Sequence, residues 1–237
     1  MGWEQGRPDP EGCPRSCRPE VTTMYDLHTH TSLSDGELLP TELLRRAAVL
    51  GYDTLAITDH ADASNLAHLV EAVGRCRESA RCYCVDLLVG VELTHVPPPL
   101  IPAFAREAKR LGADIVVVHG ETVVEPVTPG TNHAACTCEY VDVLAHPGLI
   151  AVEDVRAARE HGVALEITSR AGHNRTNGYV VRVGREAGCR LVVDSDTHAP
   201  SDLMSKETRW VVALGAGLTE AESREALSLD INRLLQK

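Results

Sequence analysis

Short, nearly continuous apolar runs recur along the chain, separated by longer stretches whose apolar positions fall at helical spacing. The runs at Val21–Tyr25, Thr54–Thr58, Val85–Val91, Asp114–Val118, Val141–Ala145, Val163–Ile167 and Arg190–Asp194 predict strands. Helices are predicted from Pro40 to Gly51, near 64–80, near 102–111, near 131–139, over Glu153–His161 and near 177–187, with more helix near 203–214 and from Thr219 onward. Pro40 near a start, and Gly51, Gly162 and Gly188 as stops, supply the punctuation. Strands that are apolar throughout need cover on both faces, so the alternation implies a parallel sheet sheathed by helices. Near-regular recurrence without a long central excursion favours a closed barrel over an open doubly wound sheet. No Gly-x-Gly-x-x-Gly or Walker loop follows any strand. In a closed α/β barrel the C-terminal strand ends share one mouth, where active-site groups gather.

The 237 residues, 43% apolar, suffice for one sizeable core, and no low-complexity linker divides them. Residues 1–20 carry Pro8, Pro10, Pro14 and Pro19 among glycines and charges and are expected to be a disordered lead-in, with a single domain over 21–237. A balance of 23 Lys and Arg against 34 Asp and Glu, net −11, disfavours tight binding to duplex nucleic acid. A phosphate ligand then needs local positive charge, from metal ions or a few placed arginines. No apolar run approaches the roughly 20 residues of a bilayer span, and no basic segment leads into a hydrophobic one, so a soluble, cytoplasmic protein without a membrane partner is expected. Composition leaves the oligomeric state open. The eight cysteines are expected as reduced thiols. Cys82 and Cys84 share one face of a predicted strand, and Cys136 and Cys138 diverge on a predicted helix. A cysteine zinc site, including one made with Cys13 and Cys17, is disfavoured.

The strand ends change the picture. The first run exits into His28 and His30, two apart on an extended backbone and so able to face one point, followed by Asp35 in a Ser-Asp-Gly turn that could bend back toward them. The second exits into Asp59 and His60, the third into Glu92, the fourth into His119, the fifth into His146, and the seventh into Asp196 and His198. Only the sixth ends without an obvious ligand. Of the eleven histidines, His68, His95, His133, His161 and His173 mostly fall in helices or loops. A single strand-end histidine is usually a satisfied hydrogen-bonding residue; the ordered set is not explained that way. Nine N and O donors with no thiolate exceed the roughly four to six that one zinc or iron ion takes, so two or three divalent ions, Zn, Mn or Fe, are implied, with Glu92 placed to bridge. The lysines Lys109, Lys206 and Lys237 sit at no strand exit, which argues against a carboxylated-lysine bridge.

The ordered motifs His28-Thr-His30, Asp35, Thr58-Asp-His60, Gly90-Val-Glu92, His119-Gly120, Ala145-His-Pro-Gly148 and Asp196-Thr-His198 resemble those of the polymerase and histidinol phosphatase (PHP) family over about residues 24–200. The resemblance implies an α/β fold, a distorted (β/α)7 TIM-like barrel with C-terminal helices, holding a trinuclear metal centre. It assigns one ion to His28, His30, Glu92 and Asp196, a second to Glu92, His119 and His146, and a third to Asp35, His60 and His198. Some family members have histidine where this chain has Asp35, and the chain is shorter than many histidinol phosphatases.

Clustered divalent ions activate water, polarise a phosphoryl oxygen and orient in-line attack. The leading expectation is a phosphatase that hydrolyses a small-molecule phosphate monoester with a metal-held hydroxide, as a histidinol-phosphate phosphatase does. Asp59 is either an acceptor that orients an imidazole or a strand-end carboxylate that bonds backbone amides. The loop after the sixth strand offers Arg170, His173, Asn174 and Arg175 to a phosphate, with His173 as a candidate general acid, although the same loop also reads as a polar lead-in to a helix capped by Thr176 or Asn177. Glu121 and the Thr131-Asn132-His133 segment are weaker pocket candidates, and His95 reads as a near-surface polar residue. A phosphodiesterase or 3′- or 5′-exonuclease on short single strands shares the metal chemistry, but the net charge and 3% aromatics argue against it. A non-catalytic metal-stabilised module is the third reading, opposed by the full ligand set.

Overall fold

The computed structural model describes residues 24–236. The expected disordered lead-in, Cys13, Cys17, the start of the first predicted strand and the last residue lie outside the described residues. Eight strand segments follow in order: β1 (Tyr25–Asp26), β2 (Thr54–Ile57), β3 (His60–Ala61), β4 (Asp86–Leu93), β5 (Ile115–His119), β6 (Val143–Ala145), β7 (Ala164–Thr168) and β8 (Leu191–Asp194). All pairings are parallel in the order β1-β2-β4-β5-β6-β7-β8, and β3 rejoins β4 after the gap at Thr58 and Asp59, so β2 and β3 act as one strand. The result is a nearly closed barrel of seven parallel strands, as the alternation of runs implied. Closure between β1 and β8 rests on one parallel bridge, Thr29 to Thr197. Side chains stand in for the missing ladder: Leu27 N–H donates to Asp194 Oδ1 at 2.8 Å and Ser195 N–H to Asp26 Oδ1 at 3.1 Å.

Strand alternation divides the core in two. Tyr25, Leu27, Ala56, Ile115, Val117, Val143, Ala145, Ala164 and Val192 fill the barrel interior, while Val116, Val118, Leu144, Leu165 and Val193 pack outward against the helices. These are α1 (Pro40–Leu50), α2 (Leu66–Gly74), α3 (Arg77–Cys82), α4 (Ile101–Leu111), α5 (Thr131–Cys136), α6 (Val152–His161), α7 (Asn177–Ala187), α8 (Lys206–Gly215), α9 (Glu220–Leu227) and α10 (Ile231–Leu235). Leu234 of α10 belongs to the interior cluster, so the last helix closes one end of the barrel with apolar side chains. Among the described residues no helix is long and apolar enough to cross a membrane.

Two local expectations are corrected. The helix expected near 64–80 is two helices, α2 ending at Gly74, a weak helix former, and α3 beginning at Arg77. Cys82 therefore ends α3 and Cys84 lies in the following turn with φ of 57°, so the pair is not on a strand; β4 begins only at Asp86.

Candidate metal centre

The mouth of the barrel is built by letting the inward face of each strand run on past its apolar residues. Ile115 and Val117 face the interior, and His119 is the next residue of that face; Ala56 leads in the same way to His60. Two positions need more than alternation. His146 follows the inward Ala145 and would face outward in a regular strand, but its φ is 28°; Asp196 has φ of 54°. Such conformations cost about 1–3 kcal/mol each for residues other than glycine and concentrate at functional sites. The Asp35 turn depends on Gly36, whose added Cβ would lie 2.6 Å from the His30 carbonyl.

All nine strand-end residues meet in one cluster. His28 Nε2 lies 3.0 Å from His30 Nε2 and 3.3 Å from Glu92 Oε1, and His30 Nε2 lies 3.3 Å from Asp196 Oδ1. Glu92 also reaches His60 Nδ1 at 2.6 Å and His146 Nε2 at 3.6 Å. The donor atoms form four sets, each close enough to share an ion: His28, His30, Glu92; His28, His146, Asp196; Glu92, His119, His146; and His30, Asp35, His60, His198. Asp35 Oδ1 is 3.3 Å from His198 Nε2 and 3.5 Å from His60 Nε2, but 3.9 Å from His30 Nδ1. The turn thus bends toward the later histidines more closely than toward the first pair.

The donor set fits divalent cations. Burial works against a charged Glu92, yet His28, His60 and His119 outweigh it and hold the carboxyl well below its usual range. Burial, reinforced by neighbouring imidazoles, holds His30 and His146 well below the ordinary histidine value, which keeps them in the neutral, ligating form. Glu92 Oε1, His30 Nδ1 and His146 Nδ1 are buried without a hydrogen-bond partner. Carboxylate and imidazole donors gathered this closely, several of them buried and unpaired, call for cations among them.

Around this centre the other sequence candidates take separate places. Asp59 accepts from Thr31 N–H at 2.8 Å, Thr31 Oγ1 at 2.7 Å and Ser34 Oγ at 2.6 Å, so its carboxylate braces the loop that carries Asp35. Arg170 pairs with Asp202 at 3.1 Å, and the same Asp202 oxygen accepts from His198 N–H at 3.0 Å. His173 is buried with its ring centroid 4.2 Å from that of His146, whereas Asn174 and Arg175 are exposed. Glu121 Oε1 accepts from Gly130 and Asn132 N–H, both at 2.9 Å, which ties off its own loop. Asn132 donates to Pro147 O at 2.8 Å, bracing the loops after β5 and β6, and exposed His133 pairs with Asp154.

Three contributors escape a reading by strand ends. Glu166 lies inside β7, the strand without an obvious ligand, yet is fully buried, with Oε1 2.7 Å from His28 Nδ1 and Oε2 accepting from His146 N–H at 2.8 Å. A charged residue amid the run Ala164-Leu-Glu-Ile-Thr168 was the available signal. Glu125, with no such signal, faces His119 at 3.2 Å and His173 at 3.4 Å; contact with His119 takes its carboxyl down to about 2. Thr94 Oγ1 lies 2.7 Å from His60 Nδ1.

A parallel barrel whose strand ends converge on such a donor set defines a metal-dependent hydrolase. The PHP domain family model matches residues 26–120. The chain is 53% identical over 205 residues to Uncharacterized protein MJ1295 of Methanocaldococcus jannaschii, covering 86% of this chain and 94% of that protein. It is 31% identical over 238 residues to a Probable phosphatase of Shewanella piezotolerans, covering 90% and 89%. A shorter match, 40% over 73 residues, covers 31% of this chain and 23% of the 5'-3' exoribonuclease Rnm of Escherichia coli. The histidinol phosphate phosphatase of Lactococcus lactis, solved with zinc, L-histidinol and phosphate, shares the fold at 14% identity with a TM-score of 0.59, over 83% of this chain and 95% of that one. The chain belongs to the PHP family of metal-dependent phosphoesterases.

Proposed function

We propose that the protein hydrolyses a phosphate monoester of a small molecule, in the manner of a histidinol-phosphate phosphatase. The observation that carries this reading is the set of nine buried or half-buried N and O donors at one barrel mouth, with the Arg170 guanidinium fixed beside His198. Two or three divalent ions, Zn, Mn or Fe, would be held by His28, His30, Glu92, His146, His119 and Asp196, and by Asp35, His60 and His198. When bound, they supply Lewis acidity to the phosphoryl group and an activated water.

The chain's own groups do the rest. Arg170, held by Asp202, presents a planar fork to phosphoryl oxygens, and Asn174 and Arg175 add polar and cationic contacts at the rim. His173, its ring centroid 4.2 Å from that of His146, would serve as the general acid for the leaving alkoxide. Asp59 acts through the Asp35 loop, and Glu121 through the loop that precedes α5.

One assay separates the readings. Protein supplied with Mn, Zn or Fe is offered histidinol phosphate, sugar phosphates, nucleotides and a short oligonucleotide, with His119→Ala as control. Hydrolysis of monoesters alone, lost in the control, is expected. Shortening of the oligonucleotide replaces the reading with exonuclease activity, and inactivity throughout despite bound metal replaces it with a non-catalytic module.

A further inference from the structure

We propose that Glu166 is a positioning residue that locks two metal-site histidines, on different strands, with one carboxylate. The inference rests on the metal-site part of the proposed function and not on its substrate. Glu166 is fully buried, and its two oxygens have different work. Oε1 accepts from His28 Nδ1–H at 2.7 Å, which leaves Nε2 as the ring atom free to face Glu92 and His30. Oε2 accepts from the backbone N–H of His146 at 2.8 Å.

The second contact answers a problem set by the fold. His146 must turn inward one residue after the inward Ala145, and it does so at φ of 28°, a conformation that persists only where surrounding contacts over-determine it. Adjacent β7 delivers the acceptor that holds the strained N–H, and the same side chain reaches across the barrel to the first strand. His28 belongs to the donor set with His30 and Glu92, His146 to the set with Glu92 and His119, and the two together to a set with Asp196. Glu166 is thus tied to more than one set at once, through one imidazole and one backbone amide. Its burial keeps both bonds out of reach of bulk water.

Glu166→Gln is the discriminating variant. A carboxamide of the same shape has one acceptor oxygen and one donor nitrogen, so it can serve His28 or His146 but not both. Zn binding is measured by competition with a chromophoric chelator and by metal content per chain, alongside melting of the metal-free protein. The expected result is affinity weakened about 10–100-fold. Two ions are lost together at a chelator level where His198→Ala loses one, while the melting curve stays cooperative. Affinity within twofold of wild type, or loss of a single ion, overturns the proposal. If Glu166→Gln does not fold, Glu166→Asp is read in its place; it keeps both acceptors at a shorter reach and is expected to lose the same two ions at higher chelator. Wild-type protein that binds metal without hydrolysing any phosphate ester sinks the phosphatase reading and leaves Glu166 to be judged on affinity alone. Wild-type protein that binds no metal sinks both.

Discussion

Asp35 reaches His60 and His198 because a second carboxylate, Asp59, holds the turn that carries it through three hydrogen bonds to Thr31 and Ser34. Of the two roles open to Asp59, orienting an imidazole or bonding its own loop, its partners fit the second: a backbone amide and two hydroxyls. Asp59→Asn replaces an acceptor-only group with one that can turn a donor toward the Thr31 amide. We expect the ion at Asp35, His60 and His198 to bind at least about tenfold more weakly and stability to fall by about 1–3 kcal/mol. Metal content per chain and denaturant unfolding check the two effects separately. Asp35 itself is half exposed, and spacing alone drew it toward His28 and His30; its assignment to His60 and His198 came from the family resemblance. Which histidines it joins depends on the path of the loop, and Gly36 and Asp59 set that path.

At the scale of elements, the loops after β5 and β6 are pressed together beneath the mouth. Gly148 has φ of 62°, and an added Cβ would lie 2.0 Å from the Glu121 carbonyl, a backbone atom that cannot swing aside. Gly148→Ala is expected to destabilise by at least about 1–3 kcal/mol and to lower metal affinity at His119 and His146, measured by unfolding and chelator competition. Far from the site, Glu222 completes a capping box on α9 with Thr219 and pairs with Arg185 on α7. The Arg185 pair, with help from Thr219, takes the Glu222 carboxyl from 4.5 down to about 2. Its folded value is below its unfolded one, so the stabilisation is present above pH ~4.5 and is lost as pH falls toward 2. The stability gap between wild type and Glu222→Gln, about 0.2–1 kcal/mol at pH 7 because glutamine keeps the capping box and only an exposed ion pair is lost, should shrink on going to pH 3. A gap that is constant across that range counts against the ion pair. Helix starts and stops of this kind were readable from Pro40, Gly51, Gly162 and Gly188, whereas the break between α2 and α3 was obscured by continuous helical spacing on both sides of Gly74.

For the molecule as a whole, a deep cluster of carboxylates and imidazoles at one end of the barrel is a stability cost that bound cations relieve. Metal should therefore raise the melting temperature in a concentration-dependent way, by about 2.7 kcal/mol per ion at a hundredfold excess over its dissociation constant. Calorimetry with chelator, then with added Zn or Mn, checks this, and His119→Ala should respond less than wild type. A melting temperature indifferent to metal would count against ion binding at the mouth. The alternation of apolar runs and helical stretches was enough to determine a helix-sheathed parallel sheet and to favour its closure into a barrel, because period and length are local properties written residue by residue. The same period places His119, His60 and Glu92 at strand exits. Tertiary structure decided what the period cannot carry. It turned His146 and Asp196 inward at positive φ, it closed β1 onto β8 through Asp26 and Asp194, and it brought Glu166 from the apparently empty strand to His28. Each of these depends on partners far apart in the chain, and only the closed barrel makes them neighbours.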